Sequence, residues 1–129
     1  MQLSNFLRTV LKLDAATCLG MGALVLPAAA ALQAPLGVDA NLLRAAAASL
    51  IPIGLFMLWV GTRREAPAGF VWLIILGNLA WTAGSLLAAA DLPGVTALGQ
   101  LLVAGQGLGV LALAIAEWAG LRQSRVAVA

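Results

Sequence analysis

The sequence predicts an all-α integral membrane protein, a four-helix transmembrane bundle made of two helical hairpins with both termini cytoplasmic. Three observations carry that expectation. Of 129 residues, 63% are hydrophobic and only 9% charged, more apolar surface than a soluble domain of this size can hide. The apolar residues fall into four runs, each near the roughly 20 residues that a span needs. Finally, Trp59-Val60-Gly61-Thr62-Arg63 returns as Trp118-Ala119-Gly120-Leu121-Arg122. Trp belongs at a membrane interface, Gly lets a helix end in a left-handed turn, and Arg holds the cytoplasmic side. Both copies are therefore expected to close the inner end of a span.

Residues Met1 to Leu13 read as an amphipathic lead-in, with Ser4 as a cap and Leu3, Phe6, Leu7, Val10 and Leu11 at helical spacing. The first span is expected at 14–32, with Pro27 inside it. A cleaved secretory signal is the rival for this start, but Asp14 would break its apolar core. The segment is expected to be retained. Pro35, Gly37 and Asp39 supply a turn, and Asn41 is the expected cap of a second span at 42–60, which contains Pro52. A short loop with Arg63, Arg64, Glu65 and Pro67 leads to a third span at 69–90. Asp91-Leu92-Pro93-Gly94 turns the chain into a fourth span at 97–121. All 129 residues make one transmembrane domain on this reading.

Charge sets the orientation. Arg8, Lys12, Arg63, Arg64, Arg122 and Arg125 fall on one side and Arg44 alone on the other. Six against one places both ends inside by the positive-inside rule. The hairpins also read as a tandem repeat, since a constant shift carries Asn41–Arg63 onto Gln100–Arg122. Chance alignment of apolar helices with similar ends is the plainer account.

The residue types narrow the chemistry. There is no His and no Tyr, and Cys18 is the single cysteine. The usual haem and zinc ligand and the usual proton shuttle are missing, and an intramolecular dithiol is ruled out. No cofactor or metal is expected. The pI near 9.5 points to topology and anionic lipid rather than nucleic acid.

Polar side chains within spans each need a partner. Ser49, Ser85 and Gln106 are placed near the midplane by helical rise, forming either a pathway for a small solute or interhelical glue. Glue is worth about 0.6 kcal/mol per bond and is the favoured account. Asn78 and Trp81 lie one turn apart and could face a shared cleft. Asp14 and Glu117, near the inner ends of the first and fourth spans, could approach Arg8, Lys12 or Arg122. A desolvated carboxylate there could exchange protons, as a proton-coupled transporter requires; a salt-bridge cluster fixing helix ends is the favoured account. Arg44 with Asp39 or Asp91 reads likewise on the outer side. Gly105, Gly109, Ala112, Ala116 and Gly120 lie on one helix face, either an internal seam or an oligomer contact. Cys18 is expected to be a small packing residue.

The pattern Asp14-Ala15-Ala16-Thr17-Cys18, Ser49-Leu50-Ile51-Pro52, Asn78 with Trp81, and Glu117 ahead of Gly120-Leu121-Arg122 resembles a family of small uncharacterised four-helix bacterial inner-membrane proteins. The resemblance covers nearly the whole chain and implies fold and location. Small multidrug resistance transporters and fluoride channels are similar in size. The former rely on a first-span Glu and on Tyr residues, where this chain has Asp14 and no Tyr. The latter often insert in both orientations, against the six-to-one bias here.

The functional expectation is therefore a non-enzymatic membrane protein, an accessory or assembly subunit of a larger complex or a homo-oligomer. Its partners would be the lipid bilayer and a membrane protein or a second copy. The alternative is a small transporter or lipophile-binding protein using Asp14, Glu117 and the Gln106 layer. No nucleophile–base pair suggests an enzyme.

Overall fold

A computed structural model describes the backbone of residues 1–128 and the side chains of residues 1–124; the side chain of Arg125 lies outside the described residues. The chain forms α1 (Asn5–Leu36), α2 (Ala40–Thr62), α3 (Ala68–Asp91) and α4 (Ala97–Val128). All four are long and apolar enough to cross a membrane.

A helix stands at each of the four expected spans, but the helices run beyond their expected bounds, and capping explains where they begin. Ser4 Oγ accepts from the Leu7 N–H at 3.1 Å, so the lead-in and the first span are one continuous helix. Asp39, not Asn41, caps α2, its carboxylate accepting from the Asn41 N–H. Thr96 Oγ accepts from the Gly99 N–H at the start of α4. Pro27, Pro35 and Pro52 sit inside helices without ending them, which neighbouring helices make tolerable in an apolar medium.

Helix α1 is central, packing along α2 on one side and α4 on the other, while α3 packs on α4 and barely meets α2. The bundle is thus two hairpins joined through α1 and α4, with an open seam between α2 and α3. The outward faces are apolar, with Leu13, Leu76, Leu87 and Ile115 all largely exposed, as contact with lipid requires.

Two joints pin the hairpins together. At the basic end, which carries Arg8, Lys12, Arg63, Arg64 and Arg122, Gly61 packs on Leu11 and Lys12 and Gly120 packs on Leu7. These glycines do not end helices in left-handed turns: among the described residues, positive φ occurs only at Gly37 and Gly94. Helix α4 continues past Gly120, so the second Trp-Gly-Arg copy does not mark a helix end. What the glycines provide is room for α2 and α4 to close on neighbouring turns of α1. The flanking residues match as well, with the Arg63 guanidinium 5.0 Å above the Trp59 ring and that of Arg122 4.9 Å above Trp118. The N-terminal strip adds a further tie: Leu3 N–H donates to Arg64 O and Ala66 N–H to Met1 O.

At the opposite end the two hairpin turns touch. Thr96 Oγ donates to Pro35 O at 2.7 Å and its N–H to Leu36 O at 3.1 Å. Between the joints, packing is uneven. Val71, Ile74 and Ile75 of α3 fill the core near the basic end together with Leu7, Leu11 and Met57. Further along α3 the sequence turns to Gly77, Ala80, Gly84 and Ala88, and there the hairpins part.

A contrast between two glycines tests the basic joint. A Cβ at Gly120 would lie 2.9 Å from Leu7 Cβ and 3.0 Å from Leu7 Cα, whereas one at Gly109 meets nothing within 4 Å. Gly120→Leu is expected to lower stability by about 1–3 kcal/mol and Gly109→Leu by almost nothing, read as thermal midpoints in one detergent. Equal midpoints would show that Gly120 is not a packing joint.

Candidate functional site

The most constrained polar group lies where α1, α3 and α4 meet. Asp14 from α1 and Glu117 from α4 are wholly buried, and Asn78 from α3 is 5% exposed. The Asn78 amide joins them: Nδ2 donates to Asp14 Oδ2 at 2.6 Å and to Glu117 Oε1 at 3.0 Å. One NH₂ group thus uses both its hydrogens on two carboxyls. The two carboxyls therefore share a single nitrogen as donor. Thr82 Oγ lies 3.0 Å from both Asn78 O and Gly107 O, tying α3 to α4 one turn along. Cys18 Sγ lies 3.7 Å from Asp14 Oδ1 and 3.9 Å from Met57 Sδ.

This corrects the expected salt-bridge cluster. Arg8 donates to Gly61 O instead, and Arg122 lies over Trp118. Because α1 starts at Asn5, Asp14 lies about 14 Å along the helix, not near its start. The outer pairing changes too, with Arg44 donating to Asn41 Oδ1 rather than meeting Asp39 or Asp91. Among the described residues, Glu117 Oε2 is buried with no hydrogen-bond partner. Among the described residues, no group of three or more His, Cys, Asp or Glu is placed to hold a metal ion.

A second polar group belongs to α3 and α4. Trp81 Nε1 donates to Gln106 Oε1 at 3.0 Å, and Gln106 Nε2 donates to Ser85 Oγ at 2.8 Å. Ser49 is not part of this layer, because its hydroxyl donates back to Ala46 O on its own helix. Asn78 and Trp81 likewise serve different groups, one the carboxyls and the other Gln106. The small-residue face of α4 is not an internal seam along its length. Gly105, Gly109 and Ala112 are exposed, Ala116 is half-buried, and only Gly120 is buried against α1. The close α3–α4 approach uses Gly107 instead, whose position faces Ser85.

Where the hairpins part they leave an apolar cavity of about 900 Å³, walled by all four helices and including Leu24, Leu43, Gly84 and Gly105. A smaller cavity of about 400 Å³ lies toward the basic end, between α2 and α3, and reaches Cys18 and Asn78. Leu50, Gly77 and Trp81 border both. Trp81, held by Gln106, therefore stands between the large apolar space and the approach to the carboxyl pair. Comparison with protein-family profiles, with curated proteins and with solved structures finds no match for this chain.

Sequence reasoning paired Asp14 with Glu117 but gave them Arg8, Lys12 or Arg122 as partners, and it placed Asn78 with Trp81 rather than between the acids. The available signal was that Asn78 and the acids are the strongest polar groups in otherwise apolar runs. In lipid such groups tend to find each other.

Proposed function

We propose that the protein is a non-enzymatic multi-pass protein of the bacterial inner membrane that binds a lipophilic small molecule or lipid chain between its two hairpins. The observation that carries this reading is the cavity of about 900 Å³, within the range of small-molecule sites. Its walls are apolar apart from Trp81, Ser85 and Gln106. Both termini are assigned to the cytoplasm, because five described Lys and Arg residues crowd one end and Arg44 stands alone at the other. The resemblance to small four-helix inner-membrane proteins is consistent with that location.

Gly84 lines the cavity, and a Cβ there meets nothing within 4 Å. Gly84→Leu should therefore fill the space without disturbing the fold. Native mass spectrometry of protein released from its own membrane is expected to show a bound lipophile on the unmodified chain and little on Gly84→Leu, at similar thermal stability. An empty unmodified chain, or equal loading of both, would refute the binding role.

The uncovered glycines of α4 support a second reading, an accessory or assembly subunit or a homo-oligomer. Gly109 and Ala112 face outward, and small residues on a lipid-facing surface suit helix association. A partner mass lost on Gly109→Leu in the same spectra would establish it, and unchanged mass would remove it.

A further inference from the structure

The polar group on the wall of the large cavity ends in a hydrogen that no described residue accepts. We infer that the cavity takes a lipophile bearing a ketone or quinone carbonyl, whose oxygen accepts from the Ser85 hydroxyl. This deepens the binding role proposed above and rests on it.

The argument starts from the direction of the hydrogen bonds. An indole nitrogen only donates, so the Trp81 bond makes Gln106 Oε1 the acceptor and leaves Nε2 as the amide donor. Nε2 commits its two hydrogens to Ser85 Oγ and Val103 O, both at 2.8 Å. Ser85 Oγ is therefore an acceptor, and its own hydrogen is left over. The other described hydroxyls are all committed. Those of Thr9, Thr17, Ser49, Thr62, Thr82 and Ser124 donate to a carbonyl three or four residues back on their own helix. Those of the capping residues Ser4 and Thr96 donate to a carbonyl of another helix. Ser85 alone has no acceptor among the described residues, although it is only 8% exposed. A buried donor left without a partner is costly. The described side chains end at Ser124, about 27 Å along α4 from Gln106, so the contrast holds for everything near Ser85.

The cavity then says what would accept. Ser85, Trp81 and Gln106 are the polar residues of its wall, and the rest of the lining is apolar. One free donor in an apolar space fits a molecule with an acceptor on an apolar body. Depth narrows the acceptor. Ser85 lies six residues before Asp91, the last residue of α3, so it stands about 9 Å inside that helix end. The ester carbonyls of a membrane lipid sit beside the headgroups, at the polar margin of the bilayer. A ketone or quinone oxygen travels with its apolar body and reaches the level of Ser85. No covalent bond changes, and the hydroxyl simply gains its missing acceptor.

The test pairs benzophenone with diphenylmethane, which keeps both rings and lacks the oxygen. The full chain is held in phosphatidylcholine nanodiscs, and equilibrium dialysis measures each probe against protein-free discs. The ketone is expected to bind about three- to tenfold more tightly, the net worth of one hydrogen bond. Ser85→Ala should erase that preference while diphenylmethane stays bound, and Gly84→Leu should lose both probes. On the unmodified chain the carbonyl stretch of bound benzophenone should fall below its frequency in protein-free discs. Equal affinity for the two probes, or a preference that survives Ser85→Ala, would overturn the carbonyl assignment and leave the lipophile role standing. Should Ser85→Ala fail to fold, the carbonyl stretch decides alone, and an unshifted band overturns the assignment. Discs of ester-linked and ether-linked phosphatidylcholine separate the two sources of carbonyl. The same preference in both supports the ketone, whereas a preference seen only in ether-linked discs would give Ser85 to lipid esters and overturn it. If neither probe binds, the carbonyl assignment and the lipophile role both fall.

Discussion

Replacing Asn78 by leucine is expected to cost about 3–5 kcal/mol of stability, the penalty of removing one partner from a buried charged network. Nδ2 is the donor to both Asp14 and Glu117, and Leu has comparable bulk but no donor. The magnitude separates two accounts. Were Asn78 ordinary interhelical glue, its two bonds would be worth about 0.6 kcal/mol each, and the loss would be near 1 kcal/mol. A loss several times larger requires that a charge be left unsolvated. Reversible unfolding by an anionic detergent titrated into mixed micelles reads the difference, and a loss near 1 kcal/mol would reduce the trio to glue.

The companion variant removes the whole network. Asp14→Leu, Asn78→Leu and Glu117→Met together are expected to leave stability equal to or above that of the unmodified protein, since well-packed apolar replacements of buried ionic groups are often neutral or stabilising. Stability restored by that replacement would mean that the fold does not need the trio. A triple variant as unstable as Asn78→Leu would reverse that conclusion.

The four spans were legible because lipid leaves a chain few choices: each apolar run must satisfy its own backbone, and a helix does so. The bounds were less legible. Ser4, Asp39 and Thr96 each start a helix by catching a backbone N–H, and short polar residues near several candidate starts look alike in sequence. The Trp59–Arg63 and Trp118–Arg122 repeat was visible, yet the role of its glycines was not. Whether Gly61 turns a helix or admits a neighbour depends on what faces it, and Leu11 is fifty residues away. The carboxyl pair shows the same limit more sharply. Asp14, Asn78 and Glu117 meet only if α1, α3 and α4 have particular rotations. Helices that are apolar nearly all round carry no stripe to reveal which side faces inward. The cavity was out of reach for a related reason, because Gly77, Gly84 and Gly105 make space only relative to α1 and α2.

The far joint, where the hairpin turns meet, is expected to be the most sensitive place for a single methyl group. Gly37 has φ of 67° and Gly94 has φ of 79°, both in the region that disfavours any residue with a Cβ, by about 1–2 kcal/mol. Their surroundings differ. A Cβ at Gly94 meets nothing within 4 Å, whereas one at Gly37 would run into Gly94 O and come within 2.9 Å of Thr96 N. Gly94→Ala should therefore cost only the conformational penalty. Gly37→Ala should add about 1–3 kcal/mol of overpacking, because the obstacle is backbone and cannot rotate away. The extra loss also has a place in the binding mechanism. Pushing Gly37 from Gly94 strains the Thr96 bonds to Pro35 and Leu36, which hold the hairpins together beyond the cavity. Bound lipophile should then be lost from Gly37→Ala at temperatures where Gly94→Ala retains it. Equal midpoints for the two variants would mean that the turns are not in contact. A lower midpoint with unchanged retention would show that the cavity is held closed from the basic end alone, where Leu7 meets Gly120 and Asn78 joins the carboxyls.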